Sequence, residues 1–220
     1  MRNFLCIYFC FYLLPLVANE TTLLGNIKGF EGGTYTNSPV EVLIVKDFIT
    51  YKKESLKKGL TDANGNFKLT FHNTDTHIAI LKLGRVERTL FIEPGKSYYI
   101  SVKASLKKLQ ASKGFFAKDS RKAFIKNSTK GELNYLIDTL DRTCSGFLAN
   151  NPFNRKNYKS IKSFTDSIED IYKSVNKPYF QKYLKFKIAE LQMFVMRKYR
   201  KEFVIRHFKP SNNYAAKKIF

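Results

Sequence analysis

Thr61-Asp62-Ala63-Asn64-Gly65-Asn66-Phe67-Lys68-Leu69-Thr70-Phe71 is the stretch on which the fold turns. Asn64-Gly65 tolerates positive φ angles and can reverse a chain tightly. Phe67, Leu69 and Phe71 then alternate with polar residues, the period of a strand with one buried face. The same grammar extends in both directions. Thr22–Phe30, Val40–Tyr51, His77–Leu83, Glu87–Ile92 and Tyr98–Val102 are rich in β-branched and aromatic residues, and Glu54–Leu60 is a weaker seventh strand. Between them stand Glu31-Gly32-Gly33, Gly84-Arg85 and Pro94-Gly95-Lys96. About seven short strands with such turns predict an antiparallel β-sandwich over residues 19–103, of immunoglobulin or transthyretin style.

The pattern changes near Ala104, and residues 104–220 read as a basic all-α domain. Leu133, Leu136, Ile137, Leu140, Cys144 and Phe147 line one face of a helix, with Thr129-x-x-Glu132 as its capping box. Ile161, Phe164, Ile168, Ile171, Tyr172 and Val175 define a second helix. Asn176 caps a third with Pro178 in its first turn, running through Leu184, Ile188 and Leu191 towards His207, and Pro210 ends it. Asn150–Asn154, with Pro152, is the break between the first two. The fold class expected is therefore α+β.

At the other end, Met1-Arg2-Asn3 precedes an apolar run from Phe4 to Ala18, broken by Pro15. The run is shorter than the roughly 20 residues a spanning helix needs. Residues 1–18 read as a cleavable secretory signal, which leaves no transmembrane span in the rest. Phe9 before Cys10 does not match a lipoprotein anchor. Removal of the signal takes Cys6 and Cys10 with it, so Cys144 is left alone, placed on a buried helix face as a structural thiol.

Two stretches carry a family resemblance. Thr61–Phe67, followed by Phe91-Ile92-Glu93-Pro94-Gly95-Lys96-Ser97-Tyr98, resembles the carboxypeptidase regulatory-like sandwich at the front of many exported Bacteroidota proteins. Lys177-Pro178-Tyr179-Phe180-Gln181-Lys182-Tyr183-Leu184-Lys185-Phe186-Lys187-Ile188-Ala189-Glu190-Leu191 resembles the helical segment that follows it. The resemblance implies a protein of the periplasm or cell envelope of a Gram-negative bacterium. In that group the sandwich often precedes a thioredoxin-like domain with a Cys-x-x-Cys pair, and relatives continue past the Lys217-Lys218-Ile219-Phe220 ending. The alternative to a non-enzymatic binding or assembly protein is thus the front of a thiol-disulfide oxidoreductase without its catalytic domain. Cys144 alone lends this chain no such exchange, which needs a resolving partner.

No catalytic, cofactor-binding or metal site is assigned. His72, His77 and His207 are scattered, no Gly-x-Ser-x-Gly elbow exists, and Gly29–Gly33 lacks the lysine and helix of a phosphate loop. Asp62, Asn64 and Asn66 depart from calcium-loop spacing, since glycine falls at position four and Asn73 at twelve. Asp166, Glu169 and Asp170, near Lys162 and Lys173, read as a solvated helix face.

The net charge of +21 is uneven. Residues 19–103 hold 12 Lys/Arg against 9 Asp/Glu, and residues 104–220 hold 26 against 9. Arg197-Lys198-Tyr199-Arg200-Lys201 is the densest stretch. Lysine outnumbers arginine 30 to 9, whereas phosphate forks favour arginine. Nucleic acid is therefore disfavoured, and the expected partner of the basic helical half is an anionic envelope surface or another envelope protein.

Overall fold

The computed structural model describes residues 19–47, 50, 52–110, 119–151 and 158–195. The expected signal, the Asn150–Asn154 break beyond Asn151, and the helix continuation to His207 and Pro210 lie outside these residues. The chain divides into two compact units, residues 1–129 and 130–220. The fold is α+β.

The first unit contains β1 (Glu20–Gly29), β2 (Pro39–Asp47), β3 (Lys52–Leu60), β4 (Asn66–His72), β5 (His77–Leu83), β6 (Val86–Ile92) and β7 (Ser97–Ala104). A short helix α1 (Leu106–Gln110) and the strands β8 (Asp119–Lys122) and β9 (Phe124–Ile125) follow. One sheet has the order β4-β1-β7-β9 and the other β3-β2-β5-β6-β8. Both sheets feed one core, with Leu23, Ile27, Phe67, Leu69, Ile100 and Val102 from the first and Val42, Ile44, Leu81, Leu83, Leu90 and Ile92 from the second. Each such aliphatic side chain contributes about 1.5–3 kcal/mol through burial.

Three expectations need correction. The sheets are mixed, not antiparallel: β1 runs parallel to β7, and β6 parallel to β8. Alternation reports which face is buried and is blind to the direction of the neighbour. The first unit also continues past residue 103, because β8 and β9 add to the edges of the two sheets. With four and two residues, they are too short to show a period. Finally, the single strand drawn over Val40–Tyr51 ends at Asp47, and β3 starts at Lys52.

The turns explain why the chain folds here. Gly65 has φ +74°, its N–H donates to the Asp62 carbonyl, and the Asp62 N–H donates to the Asn66 carbonyl. At the β6–β7 connection Gly95 has φ +71°, and the buried Tyr98 hydroxyl accepts from the Glu93 N–H at 2.8 Å. That bond anchors the segment where the chain leaves one sheet for the other.

A buried cation clamps β8 in place. Arg88 shares the inward parity of Val86 and Leu90 on β6. Its Nη1 donates to the carbonyls of Glu87 (2.9 Å) and Asp119 (3.2 Å). Its Nη2 donates to the Lys103 carbonyl on β7 and to the Asp119 carboxylate, both at 3.4 Å. One guanidinium thus joins β6, β8 and a strand of the opposite sheet. Arg121 Nε closes on the other Asp119 oxygen at 2.9 Å.

The second unit holds α2 (Leu133–Asn150), α3 (Tyr158–Tyr172) and α4 (Pro178–Val195). Leu133, Leu136, Ile137, Leu140 and Cys144 are buried on α2. Phe147 stacks on Phe164 of α3 with ring centroids 3.8 Å apart, and Tyr172 meets Phe180 of α4 edge-on at 5.2 Å.

The helix boundaries differ in detail from expectation. Glu132, not Thr129, is the N-cap of α2, accepting from the Tyr135 N–H at 3.2 Å. At α4, Pro178 opens the helix, but the Lys177 carbonyl takes the first helical bond, from Gln181, so Lys177 and not Asn176 is the cap. Gln181 also donates its side-chain amide to the carbonyls of Tyr172 and Val175. Ile171, counted on the inner face of α3, is 67% exposed, while Thr165 is fully buried between Ile161 and Ile168. The Ile161, Thr165, Ile168, Tyr172 spacing leaves Ile171 off the stripe.

Candidate functional site

Three places carry chemistry beyond packing. The first is the motif of Asp62, Asn64 and Asn66. Asp62 Oδ1 accepts from the N–H groups of Asn64 and Asn66, both at 2.8 Å, and Oδ2 accepts from Asn66 Nδ2 at 3.0 Å. Asn66 Oδ1 in turn accepts from Asn26 Nδ2 at 2.8 Å. The N–H of Asn66, then its side-chain amide, hold the Asp62 carboxyl below its ordinary value. These oxygens face donors, so the motif works as a turn that pins β4 to β1. Among the described residues no group of three or more His, Cys, Asp or Glu is arranged to hold a metal ion.

The second place joins α2 and α4. Tyr183 Oη donates to Asp141 Oδ1 at 2.8 Å, Lys187 Nζ lies 3.9 Å from the same oxygen, and Lys187 pairs with Glu190 at 3.0 Å. Cys144 lies one turn beyond Asp141 and is 1% exposed. Burial pushes its thiol up to about 11, with Lys187 pulling weakly the other way. Burial and the bond to Asp141 also raise Tyr183. For Lys187 burial disfavours the charge, but Glu190 and Asp141 outweigh it and the pKa rises. At neutral pH the thiol and phenol keep their protons and the lysine its charge, so the cluster ties two helices together. A cleft of about 530 Å³ lies between α3 and α4, floored by Leu184 and Ile188 and rimmed by Glu169, Lys173 and Lys185.

The third place is the outer face of the sheet β4-β1-β7-β9. Because Leu23, Phe67, Leu69, Tyr98 and Ile100 point inwards, their strand neighbours point out. The register sets Lys68, Leu24 and Tyr99 side by side, and the Lys126 N–H donates to the Tyr99 carbonyl. A row Lys68–Leu24–Tyr99–Lys126 therefore crosses three strand spacings, about 14 Å. The next row is Asn66–Asn26–Ser101–Phe124, and Lys28 lies beside Lys103 beyond it. Tyr99 is 39% exposed and Phe124 67%. Lys126 Nζ sits 5.3 Å from the Tyr99 ring centre.

The charge expected of the helical half has a specific distribution. Residues 130–151 and 158–195 hold nine Lys/Arg and seven Asp/Glu. Residues 152–157 and 196–220, where most of the surplus lies, are outside the described residues, including Arg197–Lys201. On the open sheet face, Lys28, Lys68, Lys103 and Lys126 are exposed; Glu20 at the end of β1 shares the face, and the Asp62 carboxylate borders it through its bond to Asn66. The sequence does not reveal this group, since its members come from β1, β4, β7 and the residue after β9, which only pairing brings together. No helix among the described residues is long and apolar enough to cross a membrane.

No family of known proteins matches the chain, and neither does any curated protein. Solved structures with partial likeness include an (S)-allantoin synthase, with 9% identity, TM-score 0.31, and 40% of this chain and 42% of that one covered. A 9R-lipoxygenase from Cyanothece PCC8801 has 14% identity and TM-score 0.27, over 66% and 26%. The catechol 1,2 dioxygenase of Acinetobacter radioresistens has 10% identity and TM-score 0.24, over 47% and 58%. The match thus spans between about a quarter and three fifths of those proteins.

Proposed function

We propose that this chain is an exported, non-enzymatic binding or assembly protein of the periplasm or cell envelope of a Gram-negative bacterium. In this reading a sandwich of immunoglobulin or transthyretin style is followed by a basic helical part, and residues 1–18 are removed on export. The observation that carries it is the outer face of the sheet β4-β1-β7-β9. Four lysines and two exposed aromatic rings gather there without a part in the core. A cationic face attracts an anionic partner, and so does the basic stretch after α4. The partner is an anionic envelope surface or another envelope protein.

Cell fractionation with intact-mass measurement tests the reading. The expected product is found outside the cytoplasm and lacks the residues up to about Ala18. A cytoplasmic product that retains Met1–Ala18 would overturn it. A pull-down from envelope extracts then identifies the partner class.

A further inference from the structure

We propose that the open face of the sheet β4-β1-β7-β9 is a binding platform for an acidic polysaccharide; this rests on the envelope-binding reading and names the partner class. Three features of the face converge on that chemistry. Lys28, Lys68, Lys103 and Lys126 are exposed on it. Lys28, Lys68 and Lys103 have no ion-pair partner among the described residues. Lys28 and Lys103 are direct neighbours across β1 and β7, and a polyanion lying on the face meets several of these charges at once.

The rings of Tyr99 and Phe124 stand on β7 and β9, open to solvent. A pyranose offers a flat C–H face that covers such a ring and removes its apolar surface from water. Ser101 stands between Tyr99 and Lys103 on β7, and Thr22 and Thr70 form the row on the other side of Lys68 and Tyr99; their hydroxyls both donate and accept, as a sugar's own hydroxyls require. Thr22 and Thr70 already stand 3.1 Å apart, Oγ1 to Oγ1. The cations are lysines, point charges on flexible stems that can follow the irregular spacing of carboxylates along a polymer. The surface is an open sheet face and not a closed pocket, which suits a chain lying across strands.

The probe is alginate, a carboxylate polysaccharide, against neutral dextran, oligo-dT and phosphatidylglycerol vesicles. The wild-type chain is expected to bind alginate and release it as salt rises to roughly 0.5 M, where the Debye length is well below its ~10 Å at 0.1 M. Tyr99→Ala with Phe124→Ala is expected to weaken binding at least about tenfold, a difference of about 1.4 kcal/mol. Lys68→Glu with Lys103→Glu is expected to abolish it. All four positions are exposed, so thermal melts should match wild type, and circular dichroism checks this. Absence of alginate binding would overturn the proposal, as would binding that both double variants leave intact, or tighter binding to oligo-dT or to the vesicles. None of these outcomes alters the fractionation result, so loss of this proposal and loss of the export reading are separable.

Discussion

Replacing Asp119 with alanine tests whether a buried ion pair holds β8 on its sheet. The change removes the carboxylate bond to Arg88 at 3.4 Å and the anchor of Arg121 at 2.9 Å. Arg88 remains inside, 5% exposed, with its charge and no anion beside it. Breaking a buried pair from one side typically costs about 3–5 kcal/mol. Here the carbonyls of Glu87, Asp119 and Lys103 still accept from the guanidinium. Charge-assisted bonds of this kind are worth about 1.5–3 kcal/mol each, so the loss should fall at the low end, about 3 kcal/mol. That is roughly a hundredfold in the opening equilibrium of β8. Hydrogen exchange read by mass spectrometry reports it directly. The Ala123 N–H, which donates to Thr89 at 2.8 Å, should exchange about a hundredfold faster, while α4 peptides stay unchanged. Arg88→Met with Asp119→Leu should restore most of the protection, because a well-packed apolar pair can replace a buried ionic one. Exchange within about threefold of wild type in the single variant would refute the clamp.

Further outcomes follow from other sites. Gly65→Ala should cost roughly 2–4 kcal/mol of unit-one stability in urea, from the positive φ and from a Cβ placed 2.7 Å from the Ile27 carbonyl oxygen. Glu132→Ala should cost about 1 kcal/mol of helical-unit stability in a thermal melt, and Thr129→Ala almost nothing, since Glu132 is the cap. Tyr183→Phe should lower that same melt by about 1–2 kcal/mol through its lost bond to Asp141. Cys144 should resist iodoacetamide at pH 8 in the native chain and react in urea. Its thiol rises from 9.0 to about 11 on folding, so its stabilising contribution is full below pH 9 and is lost as pH climbs through about 11. A native thiol alkylated as fast as the unfolded one would contradict that burial.

Much of the fold was legible locally. The Phe67, Leu69, Phe71 alternation, the Asn64-Gly65 reversal and the Leu133–Cys144 face all survive in the structure. These signals depend on the period of one element and on the φ range of one residue, and neighbours in sequence determine both. Strand direction, the clamp at Arg88 and the helix caps were not legible. Parallel pairing of β1 with β7 joins residues some 75 positions apart, and the four-residue β8 is held by a guanidinium three strands share. The Thr-x-x-Glu spacing fits a cap at Thr129, but the helix starts at Leu133 and Glu132 is its cap.

The candidate site divides in the same way. By itself the sequence determined most of the elements, most of their buried faces and the abundance of lysine. Tertiary structure alone decided which lysines meet. Lys68 and Lys126 become ends of one row with Tyr99 only through the registers of β4, β1, β7 and the chain beyond β9. Register is a global property, set by burying one face of every strand at once, so no local window of residues contains it.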